Sequence, residues 1–396
     1  MAEQYAFTAR WLFPVSGPPL SNGLLTIADE RIAAVEPKGA RNSDHDFGNA
    51  AILPGLVNAH THLDLTGMRR LEAPGADFVA WLRDVIRHRR EREPQQVLDD
   101  IREGLAESLR SGSTLLGDIS GDGSSWRVLT DAPVRAVVFR ELIGLPKDRA
   151  ERAWQEAQHF LGECPVTSTC RPGLSPHAPY SARVSLIKAA AGSGQPVAIH
   201  LAESLAEREL LLNHAGPFVP FLQELGVFDP VGLANSPEHV LRLLANSAPT
   251  LLVHCNYLAA SAGLPAQSSV VYCPRTHAAF GHSPHPFRKL LNRGVRVAIG
   301  TDSLASNPDL SVFSEIRWLH QEYPDIDGAT LLRLATLNGA EALGWDHECG
   351  SLETGKSADF VVIPLSDVDD REAHDLWLES DTNITEVWFR GQRVTP

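Results

Sequence analysis

The 396-residue chain is short of several things, and each shortage closes off a class of function. No apolar run approaches the ~18 residues that a membrane span needs. The opening stretch, MAEQYAFTARWLFP, has neither a basic start nor a long apolar centre, so a secretory leader is not expected. Basic residues are outnumbered 35 to 49 by acidic ones, and the formal charge of −14 disfavours nucleic acid and anionic membranes as partners. Cysteine is sparse. Cys164, Cys170, Cys255, Cys273 and Cys349 form no CxxC pair, and an odd number of them suits reduced, buried thiols in a cytoplasm. Lysine is confined to Lys38, Lys147, Lys188, Lys289 and Lys356. There is no glycine-rich phosphate loop and no low-complexity tract.

What the chain does have is an ordinary 43% of hydrophobic residues and a length that suits two or three domains. Short strand-and-turn segments fill the beginning: 5–13, 23–28 and 31–35, the last two joined across Ala28-Asp29-Glu30. The same texture returns in ADFVVIP (358–364) and ITEVWFRGQRV (384–394). Few short strands are stable alone, so the two ends are expected to pair into one small β-sandwich domain, residues 1–50 plus 351–396. Between them, over 51–350, strands alternate with helices. Candidate buried strands are 51–59, 113–119, 134–143, 170–175, 196–201, 250–255, 268–273 and 296–300. Helical patterns include one that starts at Pro94, one capped by Ser181 over 182–191, one over 203–213 and one over 329–343. Eight strands alternating with helices predict an α/β fold, a (β/α)8 TIM barrel whose site lies where the strands end.

Several strands end in ionisable residues. AILPGLVNAHTHLD ends in His60 and His62, which point the same way because strand side chains alternate. The fifth strand ends PVAIHLAE, with His200 and then Glu203; the sixth ends TLLVHC, with His254; the eighth ends VAIGTD, with Asp302. Any one of these alone is most simply a polar residue closing an apolar strand. Four strand ends agreeing point to a divalent-metal site at one mouth of the barrel.

PGLVNAHTHLD, SPHAPYS, VAIHLAES, VHC and IGTDSLASNPDLSVFSEI, followed by LATLNGAEALG and GSLETGKSADFVV, resemble the amidohydrolase superfamily. Within it the chain is similar to the branch of methylthioadenosine/adenosylhomocysteine, guanine and cytosine deaminases and triazine hydrolases. The resemblance spans nearly the whole chain. It implies that His60, His62, His200 and Asp302 bind one divalent ion, zinc first, with iron or manganese as alternatives, leaving a position for water. It further implies that Asp302 takes the proton of the attacking water, that His254 holds the water or developing oxygen, and that Glu203 shuttles protons to the ring and the leaving amine. His177, in SPHAPYS, matches a histidine that contacts substrate. Branch members often form homodimers, although nothing in the chain marks a partner surface. The fourth strand offers no Lys, Asp or Glu to bridge two metals, and Lys188 falls in the following helix, so a single ion is expected.

Phe78, Trp81 and Leu82 are candidates to line an apolar pocket for a flat ring. After the seventh strand the chain departs from the branch pattern and reads CPRTHAAFGHSPHPF. Arg275 or Arg140 is expected to face an anionic group of the substrate, since a guanidinium fork fits a carboxylate. His277, His282 and His285 could form a second metal site or be plain loop histidines. The function expected is hydrolytic deamination of an aminated heteroaromatic small molecule, adenine-like, such as methylthioadenosine or aminodeoxyfutalosine. Dechlorination of a triazine, opening of a cyclic amide and a barrel without catalysis are the rivals.

Overall fold

The computed structural model describes residues 4–69, 74–75, 77–366 and 371–394. Eight strands pair in parallel in sequence order: Leu56–Thr61, Ser113–Ser120, Arg135–Leu142, Cys170–Pro176, Val197–Leu201, Thr250–His254, Ser268–Tyr272 and Val297–Ile299. They are called strands one to eight. The ring closes where Thr61 bridges to Asp302 and the backbone N–H groups of Thr301 and Asp302 donate to the His60 carbonyl at 3.1 and 3.0 Å. Strand residues are buried on both faces, as the near-continuous apolar strand sequences require. This is the expected (β/α)8 barrel.

The segment expected as one strand over 51–59 is two. Ala50–Pro54 pairs antiparallel with Phe360–Pro364 and parallel with Trp11–Leu12, while Leu56–Thr61 enters the barrel. Pro54 has no N–H to extend a ladder. Gly55 turns the chain where any Cβ would collide with the Thr114 side chain. Residues 50–54 therefore lie in the small sheets and not in the barrel.

Those small sheets form a two-layer sandwich. One has four strands in the order Arg31–Glu36, Leu24–Ala28, Gln4–Thr8, His45–Asp46; the other has six, including Glu386–Phe389 and the three just named. Phe7, Leu25, Ile27, Ile52, Phe360 and Val362 fill the space between, so both chain ends share one core.

Two helix expectations change. The helix after strand four begins at Val184 with Arg183 at its cap, because the Ser181 hydroxyl is engaged by His177 Nδ1 at 2.6 Å. The stretch 329–343 forms two short helices, Gly328–Leu334 and Leu337–Ala342, broken at Thr336, whose hydroxyl donates back to the Leu332 carbonyl. Among the described residues no helix is long and apolar enough to cross a membrane.

Candidate functional site

The C-terminal mouth of the barrel gathers the strand-end residues. His60 comes from strand one and His62 from just after it, His200 from strand five, His254 from strand six and Asp302 from just after strand eight; all are buried. His62 Nε2 and His200 Nε2 face each other at 3.3 Å. Asp302 Oδ1 lies 3.4 Å from His60 Nε2 and 3.6 Å from His62 Nε2. Ligand atoms of His60, His62 and His200, and of His60, His254 and Asp302, each lie within 4.8 Å of one another.

The chemistry of these atoms fits a cation. Both ring nitrogens of His60 and Nδ1 of His62 are buried with no hydrogen-bond partner, an arrangement that costs free energy unless something else meets them. His200 Nδ1 lies 2.8 Å from the His177 carbonyl, which can only accept, so the proton sits on Nδ1 and the Nε2 lone pair faces the cluster. Burial, and then the neighbouring imidazoles, push the His62 and His200 rings well below the ordinary histidine range and keep them neutral, the form that ligates. Burial would raise Asp302, but His60 Nε2, 3.4 Å from its Oδ1, and the nearby imidazoles outweigh it and hold the carboxylate ionised. Its Oδ2 accepts from the Ser306 hydroxyl at 2.8 Å.

Glu203 and His254 stand beside this cluster, with Glu203 Oε1 3.3 Å from His254 Nε2. Burial, and then the charges of Asp302 and Glu207, raise the Glu203 carboxyl well above its usual range, which suits a group that hands over a proton. The backbone here is unusual. Ala202, His254, Cys255 and Asp302 adopt φ of 50°, 64°, 57° and 62°, a left-handed conformation rare for non-glycine residues. Two of these sites have support nearby: Glu207, fully buried, accepts from the N–H groups of Ala202 and Glu203 at 2.8 and 3.0 Å, and Asn58 bonds both the side chain and the N–H of Thr301, next to Asp302.

Two chambers open from the cluster. The inner one, about 40 Å³, is lined by His62, His200, Glu203, His254 and Asp302 together with Trp81, His177 and Glu141. The outer one, about 270 Å³, is walled by Ile86, Ile143, Leu145, Phe221, Leu222 and Val227. Leu82, Val85, Arg89, His177 and Tyr180 line both, so the two are contiguous. The structure thus brings Trp81 and His177 to the site. Trp81 is fixed by its indole N–H to the Ala305 carbonyl at 2.9 Å.

It does not bring Arg140 or Arg275. Along strand three, Glu141 faces the inner chamber, so period-two alternation turns Arg140 outward, where it pairs with Glu156 at 3.0 Å and donates to the Gly121 carbonyl. Arg275 spends its fork on Asp309 (2.6 and 2.9 Å) and Glu315 (2.8 Å) and lines neither chamber. The loop histidines are engaged too: His277 with the Ser283 carbonyl (2.9 Å), His282 with the Tyr257 hydroxyl (3.1 Å) and His285 with the His254 carbonyl (2.7 Å). Among the described residues, none of the three belongs to a metal-like cluster.

Sequence reasoning missed a second buried chain of charges. Arg89 bridges Glu141 at 2.5 Å and Asp64 at 3.2 Å, and Glu141 Oε1 lies 3.8 Å from His177 Nε2. Glu141 had a legible signal, since it too is an acid ending an apolar strand. Arg89 had none, being one of several arginines in RHRRER. Strand four, CRPGLSP, carries no bridging ligand, and Lys188 is exposed on its helix.

The model of the amidohydrolase family matches residues 51–394. The 5-methylthioadenosine/S-adenosylhomocysteine deaminase of Moorella thermoacetica is 32% identical over 384 residues, covering 89% of this chain and 84% of its own. The aminodeoxyfutalosine deaminase of Nitratiruptor sp. is 30% identical over 342 residues, covering 81% of this chain and 80% of its own. In three dimensions, the Helicobacter pylori aminofutalosine deaminase in complex with methylthio-coformycin superposes with a TM-score of 0.85 at 23% identity, over 99% of this chain and all of the neighbour.

Proposed function

Because this chain belongs to the amidohydrolase family, we propose that it is a metal-dependent hydrolase that removes the amino group of an adenine-type nucleoside and releases ammonia. The observation that carries the reading is the pairing of a neutral-leaning carboxyl, Glu203, with an imidazole, His254, at 3.3 Å beside a histidine cluster in which both His60 ring nitrogens and His62 Nδ1 lack hydrogen-bond partners. His60, His62, His200 and Asp302 are the residues that would hold one divalent ion, and three imidazole nitrogens with a carboxylate favour zinc over iron or manganese. When bound there, the ion supplies a water activated at neutral pH.

The remaining work falls to side chains. Asp302, kept ionised, takes a proton from the attacking water at Oδ1. Glu203 gives its proton to the ring nitrogen beside the attacked carbon, takes the proton of the newly attached hydroxyl as the C–N bond breaks and hands it to the leaving amine, and is reprotonated by the proton that Asp302 took from the water. His254 Nε2 steadies the attacking oxygen. Trp81 and His177 border the space for the flat ring.

The outer chamber adds a preference. Its apolar walls fit a bulky 5′ substituent, and the exposed Arg90 and Arg149 among its lining residues offer guanidinium groups to a terminal carboxylate. These two, and not Arg140 or Arg275, line the outer chamber and are the arginines proposed to meet an acidic tail. Ammonia release should be measured with aminodeoxyfutalosine, methylthioadenosine, adenosine and guanine. We expect the 5′-substituted nucleosides to exceed adenosine by roughly 10- to 100-fold in kcat/KM, the worth of a few apolar groups in a pocket. Glu203→Gln should lower kcat by about 10²- to 10⁴-fold. Chloride release from a triazine, with no ammonia from any purine, would overturn the reading in favour of the dechlorinating rival.

A further inference from the structure

We propose that His285, in the loop after strand seven, is a positioning residue that holds His254 against Glu203, an inference that rests on the deaminase reading above. His254 ends strand six and, with Cys255, forms two consecutive left-handed residues. Such a turn swings the His254 carbonyl out of the strand ladder and needs a donor to keep it there. His285 Nε2 lies 2.7 Å from that carbonyl.

The His285 ring has one way to sit. The Phe287 N–H donates to its Nδ1 at 3.0 Å, so Nδ1 carries the lone pair and Nε2 the proton, and Nε2 is the donor to His254. The ring lies flat on Tyr272, the last residue of strand seven, with centroids 4.0 Å apart and planes 14° from parallel. Tyr272 is stacked in turn on Phe287 at 5.2 Å. His277, tied to Ser283, stands edge-on to His285 at 5.7 Å. His285 is buried and lines neither chamber. Orientation thus passes from the end of strand seven through a clamped ring to the peptide that follows His254. That peptide sets where His254 Nε2 lies, 3.3 Å from Glu203 Oε1.

Two near-isosteric substitutions separate this role from packing. Asparagine places its oxygen near Nδ1, so His285→Asn keeps the bond from Phe287 and loses the donor to His254. Glutamine places its nitrogen near Nε2, so His285→Gln keeps the donor and loses the bond from Phe287. We expect His285→Asn to lower kcat about 100-fold, the scale on which a misplaced catalytic group costs rate, with KM little changed. His285→Gln should retain kcat to within a few-fold. Crystal structures of both variants read the positioning whether or not the wild type deaminates. The His254–Glu203 contact should open beyond ~3.5 Å in His285→Asn and persist in His285→Gln. The proposal is overturned if the contact survives in His285→Asn, or if both variants lose it alike. If the contact behaves as expected but wild-type protein releases no ammonia from any nucleoside, the deaminase reading fails and the positioning role stands.

Discussion

The two ends of the barrel treat buried charge in opposite ways. At the end where the strands start, Arg135 of strand three forms a buried ion pair with Asp359 of the small sandwich, and both oxygens of Asp359 are met, by Arg135, the Ser357 hydroxyl and the Arg390 N–H. Arg171, at the start of strand four, lies over the Trp345 ring at 3.7 Å. At the end where the strands finish, Asp64, Asp118 and Glu141 each leave one buried oxygen without a hydrogen bond, and His60 leaves both ring nitrogens so. At one end the charged groups mainly hold two domains together, although Arg135 Nε too lacks a hydrogen-bond partner there; at the other, carboxylate and imidazole atoms are left open. That division is what a barrel with its chemistry at the C-terminal face should show.

The hardest test of the comparison is to disable the open end. Stripping the ion with a chelator, or replacing Asp302 by Asn, should abolish ammonia release, and added zinc should restore the stripped wild type but not the variant. Full activity in the stripped protein would break the comparison. The next effect belongs to the closed end. Arg135→Met leaves Asp359 buried without its cation and should cost roughly 3–5 kcal/mol in denaturant unfolding, while kcat per folded molecule stays unchanged. A fall in kcat with stability intact would mean that the two ends are not separate.

The smallest effect is on the pH dependence of stability. Burial first of all pushes Asp118 and Glu207, both on the catalytic side, up to about 7 from ordinary values of 3.8 and 4.5. A carboxyl whose pKa is higher when folded binds more proton in the folded state between the two values. Stability should therefore fall as pH rises from about 4 to about 7. Asp118→Asn and Glu207→Gln should flatten that slope in thermal melts across the same range, and an unchanged slope would remove these groups as its source.

The site's principal residues could be read from the chain because each ends an apolar strand, and residue type at a strand end is a local property. The same logic reached too far with Arg140. Its neighbour Glu141 occupies the inward position, and a one-residue shift in a strand moves a side chain to the other face. Arg275 was misleading for a different reason: Asp309 and Glu315, 34 and 40 residues away, meet its guanidinium, and no spacing rule connects them. The break at Pro54-Gly55 was visible as letters, but its meaning depended on Thr114 and Asp359 packing around Gly55.

By itself the sequence determined the barrel, the four strand ends whose ionisable residues meet at one mouth, and the lack of a bridging residue in strand four, because periodicity and residue chemistry act over a few neighbours. Only the tertiary structure decided which arginines face the chambers, how an apolar outer chamber joins the inner one, and that His285 supports the carbonyl of His254. Those outcomes depend on which atoms meet across loops far apart in the chain, where hydrogen bonding and burial, and not local pattern, select the partner.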